Sequence, residues 1–268
     1  MRPGDARRVQ KAARWLVRQH LARLPSARMP AAIAPRSLTQ AYAVQDTFVA
    51  LKAEQCGAVV GHKIALSSPQ MRAMVGLQTP IAGQLHARQV VAGDAEVRAA
   101  QYGRLVVEFE IGFRMAADLP PRRTPYTQEE VAAAVGAAMP AFEVADDRGA
   151  DYATLATRAL ELTADNAWNE GAVLGAPVAD WRRFDLAALR GRAFANGTLV
   201  GEGHGADSMG HPLAALQWVA NHLAGRRRGL RRGDLVISGS LLTSKFPKAG
   251  DTLRFEAGEL GAVELRVT

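Results

Sequence analysis

The stretch Leu105–Val106–Val107–Glu108–Phe109–Glu110–Ile111–Gly112–Phe113 alternates with a period of two. In an extended strand, Leu105, Val107, Phe109, Ile111 and Phe113 share one face, and Val106, Glu108, Glu110 and Gly112 share the other. The first face is wholly apolar and is predicted to enter a core. The second sets two carboxylates side by side, about 7 Å apart at the usual strand rise. Like charges so close are driven toward protonation unless a cation lies between them. A solvated strand face carrying two glutamates fits this stretch alone equally well.

A third acid shifts the balance. Beyond a helix start at Thr127, with Glu129 and Glu130 in its first turn, MPAFEVADDR (Met139 to Arg148) reads as a short strand. Glu143 there shares a face with Ala141 and Ala145, in small, apolar company. Three carboxylates with no histidine or cysteine beside them form an all-oxygen donor set, which suits Mg²⁺ or Mn²⁺ rather than Zn²⁺. Asp146 and Asp147 are further acids, placed where the strand is expected to turn. His204 and His211 fall in a glycine-rich stretch read as a loop, and are expected to be structural or solvated.

The surrounding chain changes texture along its length. Helices are predicted over residues 7–23 and from Ser37 through AYAVQDTFVALKAEQ, with Pro25, Pro30 and Pro35 in the connector. VVGHKIAL (Val59 to Leu66) reads as a strand, after which Ser68 caps and Pro69 opens a short helix. Beyond about Pro80 come short strands and glycine turns, ending in a hairpin over DTLRFEAGELGAVELRV (Asp251 to Val267). The expected fold class is α+β: a helical N-terminal portion, residues 1–75, packed on a β-rich body, residues 76–268. Few strand–helix–strand alternations occur, which argues against a doubly wound nucleotide fold. GEGHGADSMGHP (Gly201 to Pro212) lacks the lysine and Ser/Thr of a phosphate loop, and no G-x-S-x-G elbow is present.

Composition narrows the partners. At 268 residues, 48% hydrophobic and 22% charged, the chain has the makings of a substantial core. The net charge of +7 and the run GRRRGLRRGD (Gly225 to Asp234) raise nucleic acid as a partner. No aromatics interleave with those arginines, which sit at a predicted helix C-terminus and are expected to stay solvated, so no nucleic-acid role is expected. A positive excess also suits anionic substrates. No apolar run reaches the ~20 residues of a membrane helix. The basic N-terminus reads as an amphipathic surface helix, with Ala13, Trp15, Leu16, Ala22 and Leu24 between arginines. One cysteine, Cys56, excludes an internal disulfide and fits a cytoplasmic location.

Seven motifs, in order, together resemble the 2-keto-4-pentenoate hydratase and 4-oxalocrotonate decarboxylase branch of the fumarylacetoacetate hydrolase superfamily. They are AYAVQD (Ala41 to Asp46), GHKIALSSPQM (Gly61 to Met71), VVEFEIGF (Val106 to Phe113), PAFEVADDR (Pro140 to Arg148), ADNAWNEGAVLG (Ala164 to Gly175), GHPLAALQWVA (Gly210 to Ala220) and GDLVISGSL (Gly233 to Leu241). The resemblance implies a mixed β-roll body and Mg²⁺ or Mn²⁺ on Glu108, Glu110 and Glu143. It further implies a small 2-oxo acid substrate, a homo-oligomer, and scope for a complex with a pathway enzyme. Lys63, which reads on its own as a strand-edge lysine snorkelling to water or as a buried proton carrier, matches a catalytic lysine of the family. Near a metal its pKa is expected to fall, through burial and the cation. Leu66, Ile81, Asp165 and Trp168 are implied substrate contacts. Ser238 and Ser240, at the end of DLVIS, either bind a substrate carboxylate or simply end a strand.

Three departures mark this chain: Ile81 where many hydratases carry aspartate, Trp168 in place of a small residue, and Leu242 where a threonine is usual, with Thr243 one later. The implied reaction is hydration of 2-hydroxypenta-2,4-dienoate-like acids in aromatic catabolism, with decarboxylation of oxalocrotonate-like diacids second. Acylpyruvate hydrolysis would need a histidine base, His62 or His86. A non-catalytic partner subunit would have its pocket closed by Trp168.

Overall fold

The computed structural model describes residues 3–268. Helices α1 (Pro3–Leu21) and α2 (Leu38–Cys56) form the N-terminal layer. Val9, Ala12, Ala13 and Leu16 recur at helical spacing and pack on Ala41, Val44, Phe48 and Val49. Ser37 caps α2 as expected, its hydroxyl accepting the Gln40 N–H.

There follow β1 (Val59–Ala65), α3 (Pro69–Val75), β2 (Ile81–His86), β3 (Val90–Ala92), β4 (Ala95–Val97), β5 (Leu105–Met115) and α4 (Gln128–Ala134). Then come β6 (Val135–Asp146), α5 (Ala159–Ala164), β7 (Asn169–Leu174), β8 (Arg190–Ala195), β9 (Thr198–His204) and α6 (Pro212–Gly225). The chain ends with β10 (Leu235–Ile237), β11 (Thr252–Ala257) and β12 (Ala262–Val267). The larger sheet has the order β2-β1-β10-β5-β6-β7-β3, and the smaller β4-β12-β11-β8-β9. Both mix parallel and antiparallel pairs, giving the α+β roll expected from the sequence.

The boundary expected at residue 75 is displaced. β1 lies inside the larger sheet, between β2 and β10, so the helical layer ends at Cys56. The stretch expected to be a glycine-rich loop also differs: Gly201 to His204 belong to β9 and pair with β8. The arginine run is only partly solvated, because Arg226 and Arg228 both grip Asp46 of α2, at 2.7 and 2.8 Å. The closing hairpin is present as β11–β12. No helix among the described residues is long and apolar enough to cross a membrane.

The apolar face of β5 is buried against Phe142, Val144 and Val173, and against Leu253, Phe255, Val263 and Leu265 of the smaller sheet. Its other face lies with Leu85, Met139, Ala141, Leu174, Leu235 and Ile237 inside the roll. The larger sheet curls until β2 approaches β7, with no ladder between them. Asn166 spans that seam: the Gln84 N–H donates to its Oδ1 (2.8 Å), and its Nδ2 donates to the Gln84 carbonyl (2.9 Å). Asn166, Ala167 and Trp168 are all left-handed, with φ of 54°, 50° and 63°. Non-glycine residues there cost about 1–2 kcal/mol each, so the paired amide has strain to hold.

Candidate metal centre

Antiparallel pairing of β5 and β6 sets Glu108 directly opposite Glu143, and Glu110 opposite Ala141. Cross-strand partners share a face, so the three glutamates converge. One carboxylate oxygen from each lies within 4.8 Å of the others. Glu110 and Glu143 are fully buried and Glu108 is half-buried. Burial, then Glu143 and Glu108, hold the Glu110 carboxyl well above the usual carboxylate range. Burial pushes Glu143 up to about 7, with Lys63 opposing and Glu108 adding to the rise.

Lys63 projects across the interior from β1, its Nζ 2.9 Å from Glu143 Oε2. Its cross-strand partner is Gly83, where an added Cβ would stand 2.9 Å from Lys63 Cγ. Any larger residue would press on the lysine stem. Burial works to lower the Lys63 pKa, but Glu143, Glu108 and Glu110 outweigh it and raise it. The expected depression is thus reversed while the carboxylates face the ammonium alone, because three negative charges surround one positive.

Each glutamate has one oxygen fixed by a protein donor. Asn169 Nδ2 donates to Glu143 Oε1 at 2.9 Å, the Gly239 N–H to Glu110 Oε2 at 2.7 Å, and the Ser244 hydroxyl to Glu108 Oε1 at 2.8 Å. Gly239 turns its N–H inward from a left-handed φ of 87°. Glu110 Oε1 is buried without a partner. Surplus negative charge, oxygen-only donors and an unpaired buried carboxylate oxygen together fit a hard divalent cation.

Above Glu108 opens a cleft of about 730 Å³, whose walls include Leu66, Ser67, Arg72, Met209 and Leu242. Of the expected substrate contacts, Leu66 lines it, and Ser240 does too. The Ser240 hydroxyl is engaged, accepting the Phe109 N–H (3.0 Å) and donating to the Leu242 carbonyl (2.7 Å). Ser238 is fully buried and accepts the Ile111 N–H at 3.2 Å, so it ties β10 to β5 instead of facing the cleft. Ile81 is buried behind Leu66 in one apolar cluster. Trp168 stands outside the cleft, its ring 5.9 Å from that of Tyr152. Asp165 is buried between His20 and Arg148, 2.6 Å from each.

Asp146 accepts the backbone N–H groups of Gly103, Arg104 and Arg148, and Asp147 pairs with Arg104, so neither joins the cluster. The histidines proposed as hydrolytic bases also lie elsewhere. His62 is buried beside Arg228 and His222, its pKa lowered to about 4 by burial and then by those neighbours. His86 Nδ1 meets the Gly57 carbonyl at 2.8 Å. His211 caps α6, accepting the Leu213 N–H. Asn169, Gly239, Ser244 and Arg72 escaped the sequence reading. Asn169 alone had a signal, at the head of an apolar strand; the others lie on irregular or short segments without periodicity.

Residues 58–268 match the family model of the fumarylacetoacetate (FAA) hydrolase C-terminal region. The chain belongs to the fumarylacetoacetate hydrolase family. Within it, the chain is 31% identical over 230 residues to a 2-keto-4-pentenoate hydratase of Burkholderia vietnamiensis, covering 86% of each. It is 29% identical over 259 residues to a 2-keto-4-pentenoate hydratase of Paraburkholderia phymatum, covering 97% of each. Among solved structures it superposes on 4-oxalocrotonate decarboxylase from Pseudomonas putida G7, complexed with magnesium and adipate. That match has a TM-score of 0.89 and 25% identity, and covers 98% of both chains.

Proposed function

We propose that this protein is a divalent-metal-dependent lyase of small 2-oxo acids, hydrating 2-hydroxypenta-2,4-dienoate-like substrates to 4-hydroxy-2-oxo acids. The observation that carries it is the triad Glu108, Glu110 and Glu143, the last two fully buried, with Lys63 Nζ 2.9 Å from one of its oxygens. The names of the sequence relatives support the same reading. Glu108, Glu110 and Glu143 would hold Mg²⁺ or Mn²⁺. When bound, the cation supplies Lewis-acid stabilisation of negative charge on the substrate's carboxylate and 2-oxygen. Asn169, Gly239 and Ser244 orient the three carboxylates. Lys63 exchanges a proton through Nζ with the substrate, ketonising the dienol, and is kept from bulk water by its burial. Water then adds to the distal carbon.

A second reading, loss of CO₂ from a 2-oxo diacid at the same centre, is supported by the decarboxylase as a structural neighbour. Homo-oligomeric assembly, a complex with a pathway enzyme and a cytoplasmic location belong to the same proposal. Leu21, Leu51 and Val91, 60%, 40% and 43% exposed around one groove, support the first of these.

The test is an ultraviolet assay of dienoate consumption with Mg²⁺ or with EDTA. Chelation should abolish turnover. Lys63→Ala should slow it about a hundredfold or more, and Lys63→Arg should not rescue it, since guanidinium stays protonated. Full activity in chelator, or a near-normal kcat for Lys63→Ala, would refute the reading.

A further inference from the structure

The lining of the cleft over Glu108 contains one cationic side chain among the described residues, Arg72 of α3. It is half-buried, and its Nη1 donates to the carbonyls of Leu66 (3.1 Å) and Ser67 (2.8 Å). Those bonds fix the guanidinium over the turn that leaves β1, the strand that carries Lys63. The other edge, Nε and Nη2, makes no hydrogen bond, and Arg72 forms no ion pair among the described residues. Neither acid in the lining is its partner. Asp207 accepts the His204 N–H at 2.7 Å, and Glu108 is held by Ser244 and turned to the carboxylate cluster.

A planar guanidinium held through one nitrogen keeps two parallel N–H groups on its opposite edge, which match a carboxylate. We propose that Arg72 is a specificity-determining residue that pairs with a second carboxylate at the far end of the substrate, so that among 2-hydroxypenta-2,4-dienoate-like acids the cleft takes those ending in a second carboxylate in preference to the monoacid parent. This rests on the reading that the glutamate triad and its cation hold the 2-oxo acid head. A monoacid would bring a vinyl or alkyl tail against the arginine, stripping water from it without giving a partner. A terminal carboxylate would replace that water with two charge-assisted hydrogen bonds.

The experiment compares kcat/KM for 2-hydroxypenta-2,4-dienoate and for a dienoate of the same class ending in a carboxylate. Wild type, Arg72→Gln and Arg72→Lys are assayed as full-length, Mg²⁺-loaded protein. Wild type should favour the diacid, and the preference should fall about tenfold or more in Arg72→Gln, mostly through KM, as expected for lost hydrogen bonds to a charged group. Arg72→Lys should lie between, keeping the charge without the fork. A purely structural role as a brace for the Leu66 turn would slow both substrates together. An unchanged diacid-to-monoacid ratio, or no diacid preference in wild type, would overturn the proposal. A calorimetric titration of saturated mono- and dicarboxylates of equal length accompanies the assay. If wild type turns over neither acid, the lyase reading fails and the titration decides on Arg72: dicarboxylate preference lost in Arg72→Gln upholds it, and equal wild-type affinity for the two acids overturns it.

Discussion

At the scale of single residues, the centre stores a conflict that a cation resolves. Glu110 is fully buried, has one oxygen without a donor, and lies with two further carboxylates against a single ammonium. Replacing it by glutamine removes one like charge while keeping the shape. In EDTA, Glu110→Gln should therefore be more stable than wild type and melt at a higher temperature. With excess Mg²⁺ the order should reverse, since a ligand at a hundred times its Kd stabilises by about 2.7 kcal/mol and the variant has lost a ligand group. Thermal melts of both proteins in EDTA and in Mg²⁺ check this; a variant less stable than wild type in EDTA would speak against a frustrated cluster. Period-two alternation put Glu108 and Glu110 on one strand face and Glu143 among small residues on another strand; that the two strands adjoin is seen only in their pairing. The role of Ser238 was not legible, because a strand-end hydroxyl chooses between substrate and neighbouring backbone according to which strand lies beside it. That neighbour, β5, is known only from the sheet order.

At the scale of elements, α1 is docked through its last turn. His20 Nε2 lies 2.6 Å from Asp165 Oδ1 and its Nδ1 lies 3.0 Å from Glu170 Oε1, while Lys52 and Gln89 also hold Glu170. Burial works to lower the His20 pKa, but Asp165 and Glu170 outweigh it and raise it above its ordinary value. A raised folded-state pKa contributes stability that is complete below about pH 6.5 and is lost as pH rises through the folded value. Glu170 has the opposite sense: despite burial, Lys52 and His20 depress it to about 2, so its contribution fades only in acid. His20→Gln should cost roughly 1–3 kcal/mol at pH 6, the range for hydrogen bonds to charged groups, and less at pH 9. Melting temperatures of the two proteins from pH 6 to 9 test it, and parallel curves would remove His20 from the linkage. The helix itself was legible from its amphipathic spacing. The role of His20 was not, because its partners lie 145 and 150 residues away.

At the scale of the whole molecule, stability should be graded from the roll outward. β5 and β6 are paired along most of their length and buried on both faces, whereas α1 holds the body through one apolar stripe and its charged last turn. Amide exchange in β5 and β6 should require global unfolding, and α1 should exchange at least about tenfold faster through partial opening. Mass-resolved hydrogen exchange measures both, and equal protection would make the layer and roll one cooperative unit. The roll and its helical cover were legible from the change in texture near Pro80. The boundary was not, since β1 pairs with β10, a strand from near the other end of the chain. The seam between β2 and β7 carries a different kind of freedom. A barrel closed by ladders on every side changes girth only by adding strands or slipping register, and a one-residue slip turns every side chain around. Here β2 runs through residues 87–89 into β3, which pairs with β7, and the Asn166 amide braces the gap that this leaves. The circuit around the carboxylates is thus closed on this side by a three-residue ladder and one side-chain amide, and Asn166→Ala removes the second without touching the first.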